Sequence, residues 1–209
     1  MASPSYGTHG ARGPIADLRA ISDGMDAALI TLIVTFLAMQ GGWGQLTVAS
    51  LSAASGRSWS LLVSALSAVL LASGLVAWLG ATISAQLVGP WRAALVALPL
   101  VLGALLLFRR QPYEPLLEPT RSLGAIQLAL LAKLLADPAR LAIFASAAAL
   151  ALPAPAFIGG AIGSGLALAI GWFLGERATR FEQASVIRKA AGAIFIALAL
   201  LIGWIGLNP

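Results

Sequence analysis

The chain has no cysteine and a single histidine, His9, among its 209 residues. The first absence excludes disulfides and thiolate chemistry or thiolate-bound metal. The second leaves almost no material for a zinc site or a histidine acid or base, because His9 lies in a polar N-terminal tail. Charge is scarce too: Asp, Glu, Lys and Arg make up 10% of the residues, against about 25% in a soluble domain. No Ser-His-Asp, metal-hydrolase or phosphate-loop arrangement occurs, and the serines sit in apolar stretches without a base nearby. Nothing therefore points to an enzyme. The net charge of +5 does not signal nucleic acid, since the basic residues fall in short segments between apolar runs, where the positive-inside rule accounts for them.

What is abundant is apolar sequence. Hydrophobic residues make up 59% of the chain, and its mean hydropathy is +0.91. Apolar runs of about 20 residues recur along nearly the whole length, the mark of an all-α integral membrane protein in a lipid bilayer. The economical count is six spans, near 27–54, 59–85, 91–108, 122–150, 154–175 and 186–207. Residues 1–24, rich in Gly, Ser, Ala and Pro, lack the order of a signal peptide and read as a disordered extension. The polar stretch 109–121 carries three prolines and reads as a connector between one half, 25–108, and another, 122–209.

With six spans, Arg57, Arg109, Arg110, Arg121, Arg177, Arg180, Arg188 and Lys189 fall on one side, and Arg12, Arg19 and Arg92 on the other. The first side should be cytoplasmic, which puts both termini on the non-cytoplasmic face. Trp59, Trp91 and Trp204 lie near span ends and suit the membrane interface.

Two spans are interrupted. The first contains Gln40-Gly41-Gly42-Trp43-Gly44-Gln45; the fourth contains Asp137-Pro138 with Lys133 before it and Arg140 after it. Broken helices at matching places in two halves point to a substrate site. At an offset of 95 residues Gln45 corresponds to Arg140, and the stripe Ser64, Ala68, Ala72, Val76 and Gly80 of the second span, small but for Val76, corresponds to Gly159, Gly163, Ala167, Gly171 and Gly175 of the fifth. Three spans per half make the repeats opposite in topology, so the expected fold is two inverted three-helix repeats with broken first and fourth helices.

Each break has two readings. The glycines weaken a helix by roughly 1 kcal/mol each relative to alanine, and Gln40 and Gln45 can either bond the freed backbone or offer carbonyl oxygens to a hard cation. Lys133, Asp137 and Arg140 can form a substrate or gating cluster. They can equally form a self-neutralised salt bridge, with the cations snorkelling to the interface.

The order of elements resembles the GDT-one family, Golgi-type manganese/calcium–proton antiporters with bacterial relatives that look like manganese exporters. The resemblance covers about 25–204. It rests on Phe36-Leu37-Ala38 before a break and Gln45-Leu46 after it, Trp78-Leu79-Gly80, and Leu141-Ala142 after the second break. Leu174-Gly175-Glu176-Arg177 and the run Ile187 to Phe195 complete it. The family signature, Glu-x-Gly-Asp-Lys/Arg-Thr/Ser and usually Gln, is largely replaced. The first copy reads Met39, Gly41, Gly42, Trp43, Gly44 and Gln45 at those places; the second reads Leu134, Ala136, Asp137, Pro138, Ala139 and Arg140. Of four expected carboxylates Asp137 alone remains, so high-affinity divalent binding is not expected.

The resemblance implies alternating access in a bacterial-style inner membrane, with no cofactor. The midplane site would comprise Asp137, Gln45, Gln40, Gly41, Gly42 and Gly44. Asp137 would hold Mn2+, Ca2+ or a proton, and Lys133 and Arg140 would modulate it or recruit an anionic group. The competing expectation is a non-transporting structural or regulatory membrane protein, self-associating or paired with an intact relative, that has kept the scaffold and lost the site.

Overall fold

The computed structural model describes residues 14–109, 123–179 and 183–207, all within or between helices. In chain order they are α1 (Pro14–Met39), α2 (Trp43–Ser55), α3 (Trp59–Ser84), α4 (Pro90–Phe108), α5 (Leu123–Leu135), α6 (Pro138–Leu150), α7 (Pro153–Leu174), the short α8 (Glu176–Thr179) and α9 (Gln183–Leu207). Five are long and apolar enough to cross a bilayer: α1 from Ser22, α3, α4, α7, and α9 over Ser185–Gly206. The described residues are all-helical, and the protein is a membrane protein by the length and apolar character of these helices.

Two expectations change here. Residues 14–24 are not an extension but the start of α1. Proline is well suited to a first helical position, because its fixed φ and missing N–H cost nothing there. Residues 1–13 and 110–122, which hold the rest of the extension and most of the connector, lie outside the described residues. Arg188 is not a loop charge: it lies in α9 and is buried.

The two interrupted stretches resolve into helix pairs. α5 and α6, at 13 residues each, reach only about 20 Å apiece, short of a hydrocarbon core of about 30 Å. They follow one another along α3 in the same direction. Gln127 bonds Ser67, Arg140 bonds Ser73, and the Ser84 hydroxyl donates to the Ala148 carbonyl at 2.5 Å. α1 and α2 follow α7 likewise: Ala28 lies on Gly159, Thr35 on Gly163 and Gln45 on Gly171, and the Ser52 hydroxyl donates to the Trp172 carbonyl at 2.6 Å.

This close approach is why the stripes on α3 and α7 are small. A Cβ on Gly159 would collide with the Ala28 carbonyl, and one on Gly163 with the Leu32 carbonyl and the Thr35 hydroxyl. The core is accordingly rich in alanine, with Ala65, Ala68, Ala72, Ala104, Ala142 and Ala167 buried beside fewer large groups such as Phe195 and Leu168. Dispersion and short interhelical hydrogen bonds hold such a bundle, because lipid competes for any merely apolar face. The outward faces carry large apolar groups, among them Leu70, Leu71, Leu98, Leu102, Leu105 and Leu200, suited to lipid chains.

Backbone blocks any larger residue at position 159, whereas a Cβ on Gly203 would meet no neighbouring element within 4 Å. Gly159→Val is expected to lower stability by about 3 kcal/mol or more, and Gly203→Val by under about 0.5 kcal/mol. Thermal unfolding of the two purified variants in one detergent checks the contrast.

Candidate functional site

The two interruptions meet. Gly42 is the N-cap of α2, and Asp137 is the N-cap of α6. A Cβ built on Gly42 would stand 3.0 Å from Asp137 Oδ2 and 3.7 Å from Arg188 Nη1. The absence of a side chain at 42 thus lets the α6 carboxylate and the α9 guanidinium close on the α2 break. Gly44 serves the same closeness one step on, since a Cβ there would lie 2.9 Å from Leu134 Cδ2. Gly41 has a different role: its φ of 66° is a left-handed conformation that costs a side-chain-bearing residue about 1–2 kcal/mol.

Breaking a helix in an apolar setting frees peptide groups that must find partners. Gln45, Gln40 and Arg188 each supply one. Gln45 Oε1 accepts from the Gly41 N–H at 2.7 Å, and its Nε2 donates to Gln40 Oε1 at 3.1 Å and to the Ala167 carbonyl at 2.9 Å. Gln40 Nε2 donates in turn to the Phe36 carbonyl at 3.3 Å. The Gly41 carbonyl accepts from Arg188 Nη1 at 3.2 Å. Both glutamines therefore hold the broken backbone, and their amide oxygens are already engaged there.

Asp137 also has a structural bond. Its Oδ1 accepts from the Ala139 N–H at 2.9 Å, closing the first turn of α6. Pro138 sits at the first helical position, where it lacks no needed donor. Lys133 turns elsewhere, donating from Nζ to Thr47 Oγ1 at 3.1 Å, so it braces α5 against α2. Arg140 Nη1 donates to Ser73 Oγ at 2.8 Å and to Ser164 Oγ at 3.2 Å. Those serines lie near the middles of α3 and α7, which places the guanidinium near mid-depth.

Asp137, Arg140 and Arg188 are 4%, 1% and 7% exposed. Both arginines act coulombically on Asp137, yet their hydrogen bonds go to Ser73, Ser164 and Gly41. Arg140 Nε and Nη2 and Arg188 Nη2 are buried without a partner among the described residues. Two guanidinium groups, which stay protonated in proteins, surround one carboxylate. The cluster is net positive where each charge costs about 2.5–3.5 kcal/mol on insertion scales.

Sequence reasoning missed Arg188, Ser73 and Ser164. The signal for Arg188 was its place on the stripe Arg188, Ala191, Phe195 and Ala199, all buried, while neighbouring Lys189 is exposed. That i, i+3, i+7, i+11 spacing is one helix face.

A separate cavity of about 330 Å³, lined by Ser52, Ala53, Gly56, Arg57, Leu174, Gly175 and Glu176, opens at the far end of α2 from the break. Comparison with protein-family models, with curated proteins and with solved structures finds no match. The site stands on its geometry.

The geometry separates Gln45 from Gln40. Gln45→Leu removes three hydrogen bonds and strands the Gly41 N–H, so a loss of about 3 kcal/mol is expected, whereas Gln40→Ala is expected to lose about 1 kcal/mol. Denaturation of both variants by a common protocol measures the difference.

Proposed function

We propose that the chain is a secondary transporter on a scaffold of the GDT-one type, working by alternating access where the two breaks meet. The α1–α2 pair and the α5–α6 pair each serve as one crossing, giving six crossings in two inverted halves. One observation carries the reading: Gly42 and Asp137 occupy the same position in the two halves at the 95-residue offset, and they abut. The packing follows the same exchange, since each broken pair runs along the small-residue stripe of the other half's second helix, with Gln45 on α7 and Arg140 on α3. Substrate sites between inverted repeats lie at such crossings of discontinuous helices.

The cargo that the resemblance implies fits poorly. A hard divalent cation takes six or more oxygen ligands, with carboxylates prominent among them. Here one carboxylate caps a helix between two guanidinium groups, and the described residues contain no group of three or more His, Cys, Asp or Glu side chains. Transport is the function proposed; manganese or calcium as its substrate draws no support from this centre.

A second reading also has an observation behind it. The side chains of Gln40 and Gln45 are engaged in holding backbone, and that of Asp137 in capping α6, which suits a scaffold kept without transport, in a structural or regulatory role. Flux decides between them. Proteoliposomes holding the purified chain are expected to show protein-dependent movement of at least one of Mn2+, Ca2+, protons or a small oxyanion, reduced about tenfold or more by Asp137→Ala. No flux of any of these, with Asp137→Ala matching the unsubstituted chain, would leave the second reading.

A further inference from the structure

We infer that the junction of the two breaks is a binding site for a small monovalent oxyanion of the carboxylate or phosphate class, held by Arg140 and Arg188. The inference rests on the transport reading for its purpose but not for its chemistry. Three guanidinium nitrogens, Arg140 Nε and Nη2 and Arg188 Nη2, are buried and lack partners among the described residues. Unmet donors of this kind are rare in folded proteins and call for an explanation. Solvation by bulk water is not open to Arg140, which is 1% exposed.

The charge balance gives the sign and size of the ligand. Arg140 and Arg188 together carry two positive charges and Asp137 carries one negative charge, so one further negative charge neutralises the group. Asp137 Oδ1 already accepts from Ala139, and Oδ2 lies against Gly42. The carboxylate balances charge without meeting the free donors. A guanidinium fork matches an oxyanion with two acceptor oxygens better than it matches a halide.

The backbone points the same way. The N-terminus of α2, a 13-residue helix, opens at the junction, and Gly42 gives it no side-chain cap. Its first-turn N–H groups and positive dipole end therefore favour an anion. α6 begins at the same place, but Asp137 already caps it. The C-terminal end of α1 brings opposing carbonyls, and Arg188 occupies that of Gly41. The burial of the junction between helices favours a soluble anion over a lipid headgroup.

The test uses the full-length protein in neutral phosphatidylcholine nanodiscs, titrated with acetate and with inorganic phosphate while total sodium is held constant with a bulky sulfonate. A saturable rise in unfolding temperature is expected with at least one of them. Arg140→Gln and Arg188→Gln are each expected to weaken it by about tenfold or more, and Lys189→Gln, at an exposed neighbour, to leave it unchanged. Arg140→Lys and Arg188→Lys keep the charge but lose the fork, so they are expected to weaken binding even if the glutamine variants fail to fold.

No saturable effect of either anion on the unsubstituted chain overturns the inference. So does anion binding that survives all four arginine substitutions, or stabilisation by added phosphatidylglycerol alone. Manganese flux without anion binding would overturn this inference and leave the transport reading intact. Anion binding without flux of any solute would uphold the site and remove that reading.

Discussion

The backbone of Gly41 is held from both sides, its N–H by Gln45 and its carbonyl by Arg188. Much else depends on those bonds. A left-handed residue ends α1 at the level where α2 must begin, and each freed peptide group needs a partner because surrounding lipid offers none. Gln45 then reaches the Ala167 carbonyl, which ties the break to α7. Arg188 reaches in from α9, which ties it to the last span. The break is thus a junction of three helices, and the second break closes onto it through Asp137.

The small residues make this closeness physically attainable. Gly159 and Gly163 admit α1, and Gly171 admits Gln45; Gly80 lets the Phe144 carbonyl come in on the other side. In lipid, where apolar burial alone does not drive helices together, such contact supplies the dispersion and short hydrogen bonds that do. The same packing fixes the arginines. Ser73 and Ser164, on different helices, both receive Arg140 Nη1, so the guanidinium spans the gap between α3 and α7. Movement of one helix relative to the other would change its bonding, the kind of coupling that an alternating-access device needs.

Much of this fold was legible in the residues. The lengths of α3, α4, α7 and α9 follow from continuous apolar runs, and both interruptions follow from Gly41-Gly42 and from Pro138. Less was legible where local composition competes with tertiary context. Residues 14–24 look polar enough for an extension, but five of them are Ala, Ile or Leu, and a helix once begun propagates at little further cost. Lys133, Asp137 and Arg140 share a sequence neighbourhood, but Lys133 leaves the other two, because its Nζ reaches Thr47 on α2 while Arg140 stays within electrostatic reach of Asp137. Arg188 resembled one of several loop cations, and only the buried stripe beneath it shows that it points inward. The glutamines illustrate the opposite limit: their place in the break was legible, while the choice between ligand and brace depended on a partner 122 residues away.

The central claim is that the two breaks share one charged centre, with Gly42 and Asp137 as its facing positions. Relocating the carboxylate tests it most directly. Asp137→Asn keeps a side chain that caps a helix about as well as aspartate, so its effect reports the charge, and a loss of about 3–5 kcal/mol is expected when two buried guanidinium groups lose their anion. Gly42 has φ −75° and ψ 163°, a conformation open to aspartate. The double variant Gly42→Asp with Asp137→Asn should recover part of that stability, measured by unfolding in one detergent, since the new Cβ would stand 3.0 Å from the side chain at 137 and 3.1 Å from the Met39 carbonyl. A double variant no more stable than Asp137→Asn alone, or an Asp137→Asn as stable as the unsubstituted chain, would contradict a shared centre.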